Sequence, residues 1–431
     1  MVRPIAKIGA VVENQGLHEP PIIAASYVDR KAFMTDTSVS EKLNERKAVE
    51  LVMELMAIPG RSGEESLVAD FITKRLIDAG ADAKWISTDS AHRRTRIRGD
   101  VGNLILKLPG AKRRPRRLLT SHMDTVPICV GSQPVRRGDT ISSKDKNTGL
   151  GADNRAGVGV TLAAVETILK NRLPHPPLTV LFTVQEEVGL EGARHLSVSR
   201  LGKPQLAFNW DGGAPHKLTV GATGGYRMQI EVEGIASHAG VAPEKGVSAI
   251  SVSALAIARL HRDGWLGDVR KRGGDGTSNI GYIRGGEATN VVTDRVTLRG
   301  EARSHVPRFR QRIVAEIEKA FHAAAKEVSN VEGATGSAMF EGRLDYDSFL
   351  LGDDEPCLLA AEAAIEAIGR ESQRAVANGG LDANWLAKHG IPVVTMGCGQ
   401  RRQHMVTEAL CVSEYVDACR IALLLATATD C

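Results

Sequence analysis

Leu118-Leu119-Thr120-Ser121-His122-Met123-Asp124-Thr125-Val126-Pro127 joins an apolar run to a histidine and an aspartate two positions apart, and a proline closes it. Side chains at i and i+2 of a strand share a face, so His122 and Asp124 would project together from a strand end. A metal-ligating imidazole commonly gives its second ring N–H to a carboxylate, which fixes tautomer and aim. A lone His-x-Asp triplet is a frequent surface accident, so its meaning depends on the rest of the chain.

Three further segments repeat the arrangement of acid and glycine turn. Gly151-Ala152-Asp153-Asn154-Arg155-Ala156-Gly157 places an aspartate just before a helix. By itself that is a helix N-cap; alternatively, its two oxygens can bridge two metals. The glycine spacing at Gly149 and Gly151 fails the G-x-G-x-x-G dinucleotide pattern. Gln185-Glu186-Glu187-Val188-Gly189 follows an apolar strand. Adjacent acids there are ordinarily a solvated turn, or a division of labour in which one carboxylate binds metal and its neighbour takes a proton from water. Asn209-Trp210-Asp211-Gly212-Gly213 is alone no more than a turn. Late in the chain, His404 lies in a polar loop with Glu408 four residues on. Together, two imidazoles and three carboxylates, one of them shared, can hold two divalent ions of the zinc or cobalt type. Such a pair about 3.5–4 Å apart is an established hydrolytic arrangement.

The surrounding chain supplies a scaffold for that set. At 431 residues it exceeds one ordinary core, and two domains are expected. Its 42% hydrophobic and 25% charged residues are those of a soluble globular protein. No apolar run approaches the ~20 residues of a membrane span. The N-terminus lacks a secretory h-region, so a cytoplasmic location and a loosely ordered extension over residues 1–39 are expected. Cys129, Cys357, Cys398, Cys411, Cys419 and Cys431 form no Cys-x-x-Cys pair and read as reduced thiols. Arg93, Arg94, Arg96 and Arg98, then Lys112, Arg113, Arg114, Arg116 and Arg117, bracket one apolar strand. No aromatics interleave to stack bases, so solvated hairpin ends are preferred to a nucleic-acid surface.

Helical periodicity covers residues 40–56, and Ser62-Gly63-Glu64-Glu65 reads as a capping box opening a helix to Gly80. Strands at 83–86, 103–108, 118–122, 178–184 and 205–210 alternate with helices at 156–170 and near 190–196. This indicates a sheet covered on both faces, with sites beyond the carboxyl ends of its strands. From 226 the rhythm changes to strands at 227–232, 277–282, 291–298, 300–303 and 337–343, with helices at 247–259 and 307–327. After 353 the α/β pattern resumes, with helices at 355–369 and 382–389, a strand at 393–396 and a C-terminal helix. The fold expected is α/β: a catalytic α/β/α sheet domain over 40–221 and 347–431, interrupted by a smaller α+β domain over 222–346.

These segments, in this order from about residue 40 to the end, resemble the peptidase T-like branch of the two-zinc metallopeptidases, which also include aminoacylase and carboxypeptidase G. The resemblance implies that His122 and Asp211 ligate one zinc, Glu187 and His404 the other, and Asp153 bridges. Cobalt or manganese are alternatives to zinc. It implies Asp124 as the group orienting His122, Glu186 as general base, and a cis peptide between Asp153 and Asn154. A second Asp more often stands where Asn154 is, and little effect is expected because that side chain is no ligand. The smaller domain resembles a lid that also forms a homodimer interface. Ser237-His238-Ala239-Gly240 matches a lid segment whose histidine, here His238, stabilises the oxyanion at the partner's active site. Glu287-Ala288-Thr289-Asn290-Val291-Val292 and Arg299-Gly300-Glu301-Ala302-Arg303 match segments whose Asn290 and Arg303 grip substrate, a guanidinium fork suiting a carboxylate. Gly379-Gly380-Leu381-Asp382-Ala383-Asn384 matches a turn where backbone at Gly380 approaches substrate. The activity implied is hydrolysis of short di- or tripeptides of the aminopeptidase type. N-acyl or N-carbamoyl amino acids are the alternative substrates, and neither nucleic acid nor membrane is an expected partner.

Overall fold

A computed structural model describes residues 37–111 and 114–428. Most of the N-terminal extension, Lys112, Arg113 and Cys431 therefore lie outside the described residues. The chain divides into two compact units, Met1–Gly221 with Leu350–Cys431, and Ala222–Phe349.

In the first unit, helix α1 (Glu45–Ala57) is capped by Asn44, whose side chain accepts from Lys47 N at 3.0 Å. Helix α2 runs Ser66–Asp78. The strands are β1 (Ile86–Thr88), β2 (Leu104–Leu108), β3 (Arg117–His122), β4 (Leu178–Thr183), β5 (Leu206–Trp210), β6 (Lys217–Ala222) and β7 (Val393–Met396). They belong to a nine-stranded mixed sheet in the order β1-β2-β4-β3-β5-β7-β6. Within it β4, β3, β5 and β7 are mutually parallel neighbours. Their near-continuous burial (every residue of β3, β4, β5 and β7) is that of strands covered on both faces. Helix α3 (Ala152–Asn171) packs on β3, α1 and the C-terminal helix α4 (Val412–Thr427). Apolar side chains all around it, including Val158, Val160, Leu162, Val165 and Ile168, account for its burial.

Several local expectations change. The segment read as a strand at 83–86 is a 3-10 turn (Ala83–Trp85) leading into β1. The capping box at Ser62 does not form: α2 begins four residues later, and Asp100 accepts from Glu65 N and Ser66 N at 3.1 and 3.3 Å instead. A hairpin of Pro134–Arg137 and Thr140–Ser143 escaped the sequence reading. Arg93, Arg94, Arg96 and Arg98 are exposed, as expected of solvated ends, although several cluster arginines also reach carbonyls and acids of the chain. Arg96 reaches Glu191 at 2.9 Å and Val188 O at 2.7 Å, Arg116 reaches Leu178 O at 2.7 Å, and buried Arg117 donates to Leu425 O. Cys129, Cys357, Cys398, Cys411 and Cys419 are free thiols. Among the described residues no helix is long and apolar enough to cross a membrane.

The second unit is a five-stranded antiparallel sheet in the order Gly267–Lys271, Gly274–Gly285, Arg295–Ser304, Gly224–Glu233, Ser337–Tyr346. The stretches read separately as 291–298 and 300–303 are Val291–Val292 and one long strand, Arg295–Ser304. Helices Ala249–Arg262 and Pro307–Glu327 cover the sheet over a core of its own, with Ile230, Leu298, Phe309, Ile313 and Phe321 at its centre.

Candidate metal centre

Parallel β4, β3, β5 and β7 all end at one sheet edge, and each strand or the loop after it delivers acids or a histidine there. His122 is the last residue of β3. Glu186 and Glu187 follow β4, Asp211 follows β5, and His404 stands in the loop after β7. Asp153 lies at the start of α3, where the backbone leaves helical geometry and the Asp153–Asn154 peptide is cis. Gly157 lets α3 approach this edge, since a Cβ there would lie 2.3 Å from Trp210 O.

His122 is 2% exposed. Its Nδ1 stands 3.2 Å from Asp124 Oδ1, which leaves Nε2 aimed at Asp153 Oδ1 (3.3 Å) and Asp211 Oδ2 (3.9 Å). The other oxygen of Asp153 faces His404 Nε2 at 3.4 Å. That same nitrogen is 3.0 and 2.9 Å from the two oxygens of Glu187. Donor atoms on a tetrahedron of ~2.0–2.1 Å bonds lie roughly 3.3–3.4 Å apart, so the two Asp153–imidazole distances fit a shared carboxylate between two cation positions. Two triads are within metal-holding reach, His122 with Asp153 and Glu187, and His122 with Glu186 and Asp211. Both contain His122, but its Nδ1 is engaged by Asp124 and one remaining nitrogen serves one cation. The bridging role therefore suits the two oxygens of Asp153.

The charges strain against burial. Desolvation pushes the Asp211 carboxyl up to about 8, with Asp153 adding to the effect. Desolvation likewise drives Glu186 well above the carboxylate range, opposed by His122 and reinforced by Glu187, Asp211 and Asp382. Burial works against a charged His122, yet Glu186, Asp124 and Asp153 outweigh it and raise that imidazole. Hydrogen bonds to Asp153 and Glu187 lift His404 to about 10. The raised Asp211 and Glu186 mark a buried excess of acid that a cation in their midst would offset.

Beneath the ligating groups lies a layer that sequence reasoning largely missed. Asp124, fully buried, accepts from Ser62 Oγ (2.6 Å), Glu186 N (3.0 Å) and Glu187 N (3.2 Å). Glu408, 1% exposed, accepts from Leu150 N, Gly151 N and Asp153 N at 2.9, 2.7 and 2.9 Å, so it holds the Asp153 turn. Asn154 is not the idle side chain expected: Nδ2 donates to Trp210 O at 2.8 Å, and Oδ1 accepts from Gly157 N (3.0 Å) and Gln400 Nε2 (2.9 Å). Asp382 is buried beside Glu186 and accepts from the Thr183 hydroxyl; desolvation raises it to about 6. Of these, only Asp124 has a role legible in the sequence, through its spacing from His122. Gly380 lines a cavity of about 250 Å³ with Asp211, Lys217, Thr219 and Thr395.

His238, Asn290 and Arg303 belong to the second unit. His238 is exposed, and its Nδ1 accepts from Gly240 N and Val241 N at 3.2 and 3.1 Å, which leaves the ring proton on Nε2. Asn290 is exposed, and its carbonyl accepts from Ala239 N at 2.9 Å. Arg303 is engaged by Glu301 through two bonds of 3.0 Å.

The profile of peptidase family M20/M25/M40 matches residues 118–428. An uncharacterised Bacillus subtilis protein, YqjE, is 32% identical over 376 residues, covering 87% of this chain and 96% of its own. A probable carboxypeptidase of Paracoccidioides brasiliensis is 32% identical over 62% of each chain. Among solved structures, a Staphylococcus aureus tripeptidase is similar at a TM-score of 0.81 and 29% identity, over 90% of this chain and 98% of that one. The aminopeptidase PepT of Bacillus cereus is similar at 0.78 and 32% identity, over 90% and 99%.

Proposed function

The chain belongs to peptidase family M20/M25/M40 and is a peptide-bond hydrolase; on that premise we propose a two-metal exopeptidase that cleaves di- and tripeptides in the manner of an aminopeptidase. The observation that carries this reading is Asp153, whose two oxygens stand 3.3 and 3.4 Å from the imidazoles of His122 and His404. His122, Asp153 and Asp211 would hold one ion and Asp153, Glu187 and His404 the other, with zinc favoured by the nitrogen and carboxylate donors and cobalt or manganese as alternatives. Ions held there supply Lewis-acid polarisation of the scissile carbonyl and acidify a water.

Everything else is done by this chain's own groups. Asp124 fixes the His122 tautomer and aim. Glu186 takes the proton from the attacking water and returns it to the leaving amine, from a buried place beside the proposed ligands Glu187 and Asp211. The Nε2–H of exposed His238, on the short strand Ser237–His238, is a donor suited to an oxyanion, and we assign it to a partner chain's active site across a homodimer formed by the second unit. Asn290 and Arg303 would grip the substrate's backbone and carboxylate, which requires Arg303 to exchange Glu301 for the substrate. Gly380 would let substrate backbone approach along the cavity beside Asp211. The tripeptidase and PepT neighbours cover nearly the whole chain, which favours short peptides over the carboxypeptidase reading.

The test combines two variants assayed on di- and tripeptides with free and blocked ends. Glu186→Ala is expected to keep its metal and lose turnover, and His238→Ala to keep its metal and regain rate when mixed with Glu186→Ala chains. A Glu186→Ala enzyme with a tenth of the normal rate (roughly 1.4 kcal/mol of barrier) would remove the base assignment, and mixtures without rescue would remove the exchange between chains.

A further inference from the structure

Gln185, Glu186 and Glu187 present three successive backbone N–H groups to two buried carboxylates. Glu65 Oε1 takes Gln185 N at 3.0 Å, and the two oxygens of Asp124 take Glu186 N at 3.0 Å and Glu187 N at 3.2 Å. Both acceptors are 0% exposed. The turn needs such restraint, because Gln185 sits at φ +54, a left-handed conformation that costs a non-glycine residue about 1–2 kcal/mol. The bonds converge on one stretch of chain. Glu65 Oε1 also accepts from Gly63 N at 2.9 Å, and Ser62 Oγ donates to Asp124 Oδ2 at 2.6 Å.

That stretch is itself docked. Thr125 N donates to Gly60 O at 3.1 Å, Asp100 N to Gly63 O at 3.1 Å, and Arg61 forms a parallel bridge with Thr125. The task of capping α2, for which Ser62 and Glu65 are suited by spacing, passes to Asp100. Ser62 and Glu65 are thereby turned inward.

We propose that segment 62–65 is a brace for catalysis, in which Glu65 and Ser62 are positioning residues that fix where the Glu186 carboxylate stands. Neither touches substrate; both act through the 185–187 turn and Asp124. The proposal rests on the reading of Glu186 as general base. Glu65 serves as an acceptor in either protonation state, since a neutral carboxyl keeps its carbonyl oxygen. A glutamine can therefore do the same work and an alanine cannot.

The experiment measures kcat, KM, metal content and Tm for the full-length, metal-loaded enzyme on a tripeptide. Glu65→Ala is expected to lower kcat roughly tenfold or more, as a buried N–H loses its acceptor. KM should stay within about threefold and metal content unchanged. Glu65→Gln is expected to recover kcat to within roughly threefold of the parent, and Ser62→Ala to lower kcat with metal content unchanged. A Glu65→Ala enzyme with parental kcat, a defect confined to KM, loss of metal, or a glutamine variant no better than alanine would each overturn the brace. If Glu65→Ala does not fold, an unchanged kcat in folded Ser62→Ala does so instead. Glu186→Ala run alongside separates the two ideas: activity there removes the base, while an inactive Glu186→Ala beside a fully active Glu65→Ala removes only the brace.

Discussion

Replacing Glu408 with glutamine tests how far Asp153, the carboxylate proposed to bridge two ions, depends on what lies beneath it. Oε2 of Glu408 receives Leu150 N and Gly151 N, and Oε1 receives Asp153 N. An alanine would orphan all three buried N–H groups at about 1–3 kcal/mol each, approaching the whole stability of a domain and reporting only on folding. Glutamine keeps one oxygen. Placed on Leu150 and Gly151 it satisfies two donors and turns its NH2 toward Asp153 N–H, so the loss falls on the residue that carries the bridge. One unsatisfied donor at about 1–3 kcal/mol matches the 10–100-fold loss in metal affinity typical of groups supporting a ligand. Competition with a chelator, followed by metal content at fixed free ion, should show that weakening, with a modest fall in Tm. A glutamine variant whose metal dissociation constants and Tm both equal the parent's would refute the idea that Glu408 sets the aim of Asp153.

Asn154→Asp keeps the acceptor for Gly157 and Gln400 but loses the donor to Trp210 O, and it sets a carboxylate against that carbonyl. Differential scanning should find a Tm lower by ~2 °C or more, from a penalty of about 1–3 kcal/mol; an unchanged Tm would return Asn154 to a passive role. The metal-free chain should lose stability as pH rises. Asp211 is raised to about 8 by burial and then Asp153, so its contribution is full below its unfolded pKa of ~3.9 and fades as pH climbs through 8. His404, raised to about 10 by its bonds to Asp153 and Glu187, adds a decline from its unfolded ~6.5 up through 10. Metal displaces those protons, so zinc-loaded protein should keep its Tm over the same range. A metal-free Tm that rises between pH 6 and 9 would contradict the charge pattern.

The ends of β3, β4 and β5 were legible because an apolar run followed by an acid or histidine is a short, local pattern, and His122, Glu187 and Asp211 fall where it points. The second unit was legible from its change of rhythm, although Val291–Val292 and Arg295–Ser304 were divided wrongly, because two residues of turn and one glycine carry little contrast. The supporting acids were not legible. Ser62 and Glu65 satisfy the spacing of a helix cap, and only the tertiary position of Asp100 shows that the cap lies elsewhere. Glu408 binds a turn 255 to 258 residues away, a separation that no window on the sequence spans. The arginine clusters were legible in part: Arg93, Arg94, Arg96 and Arg98 are exposed, as solvated ends should be, whereas buried Arg117 donates to Leu425 O, a carbonyl that carries no sequence signature.

Because β4, β3, β5 and β7 lie side by side and parallel, the strand ends from which His122, Glu187 and Asp211 are delivered are spaced by the ladder itself, in steps of about 4.7–4.9 Å per strand. Insertions between these strands lengthen the connections without stretching that ruler. The strand ends of the candidate centre are thereby held at a fixed pitch whatever the length of the loops that join them.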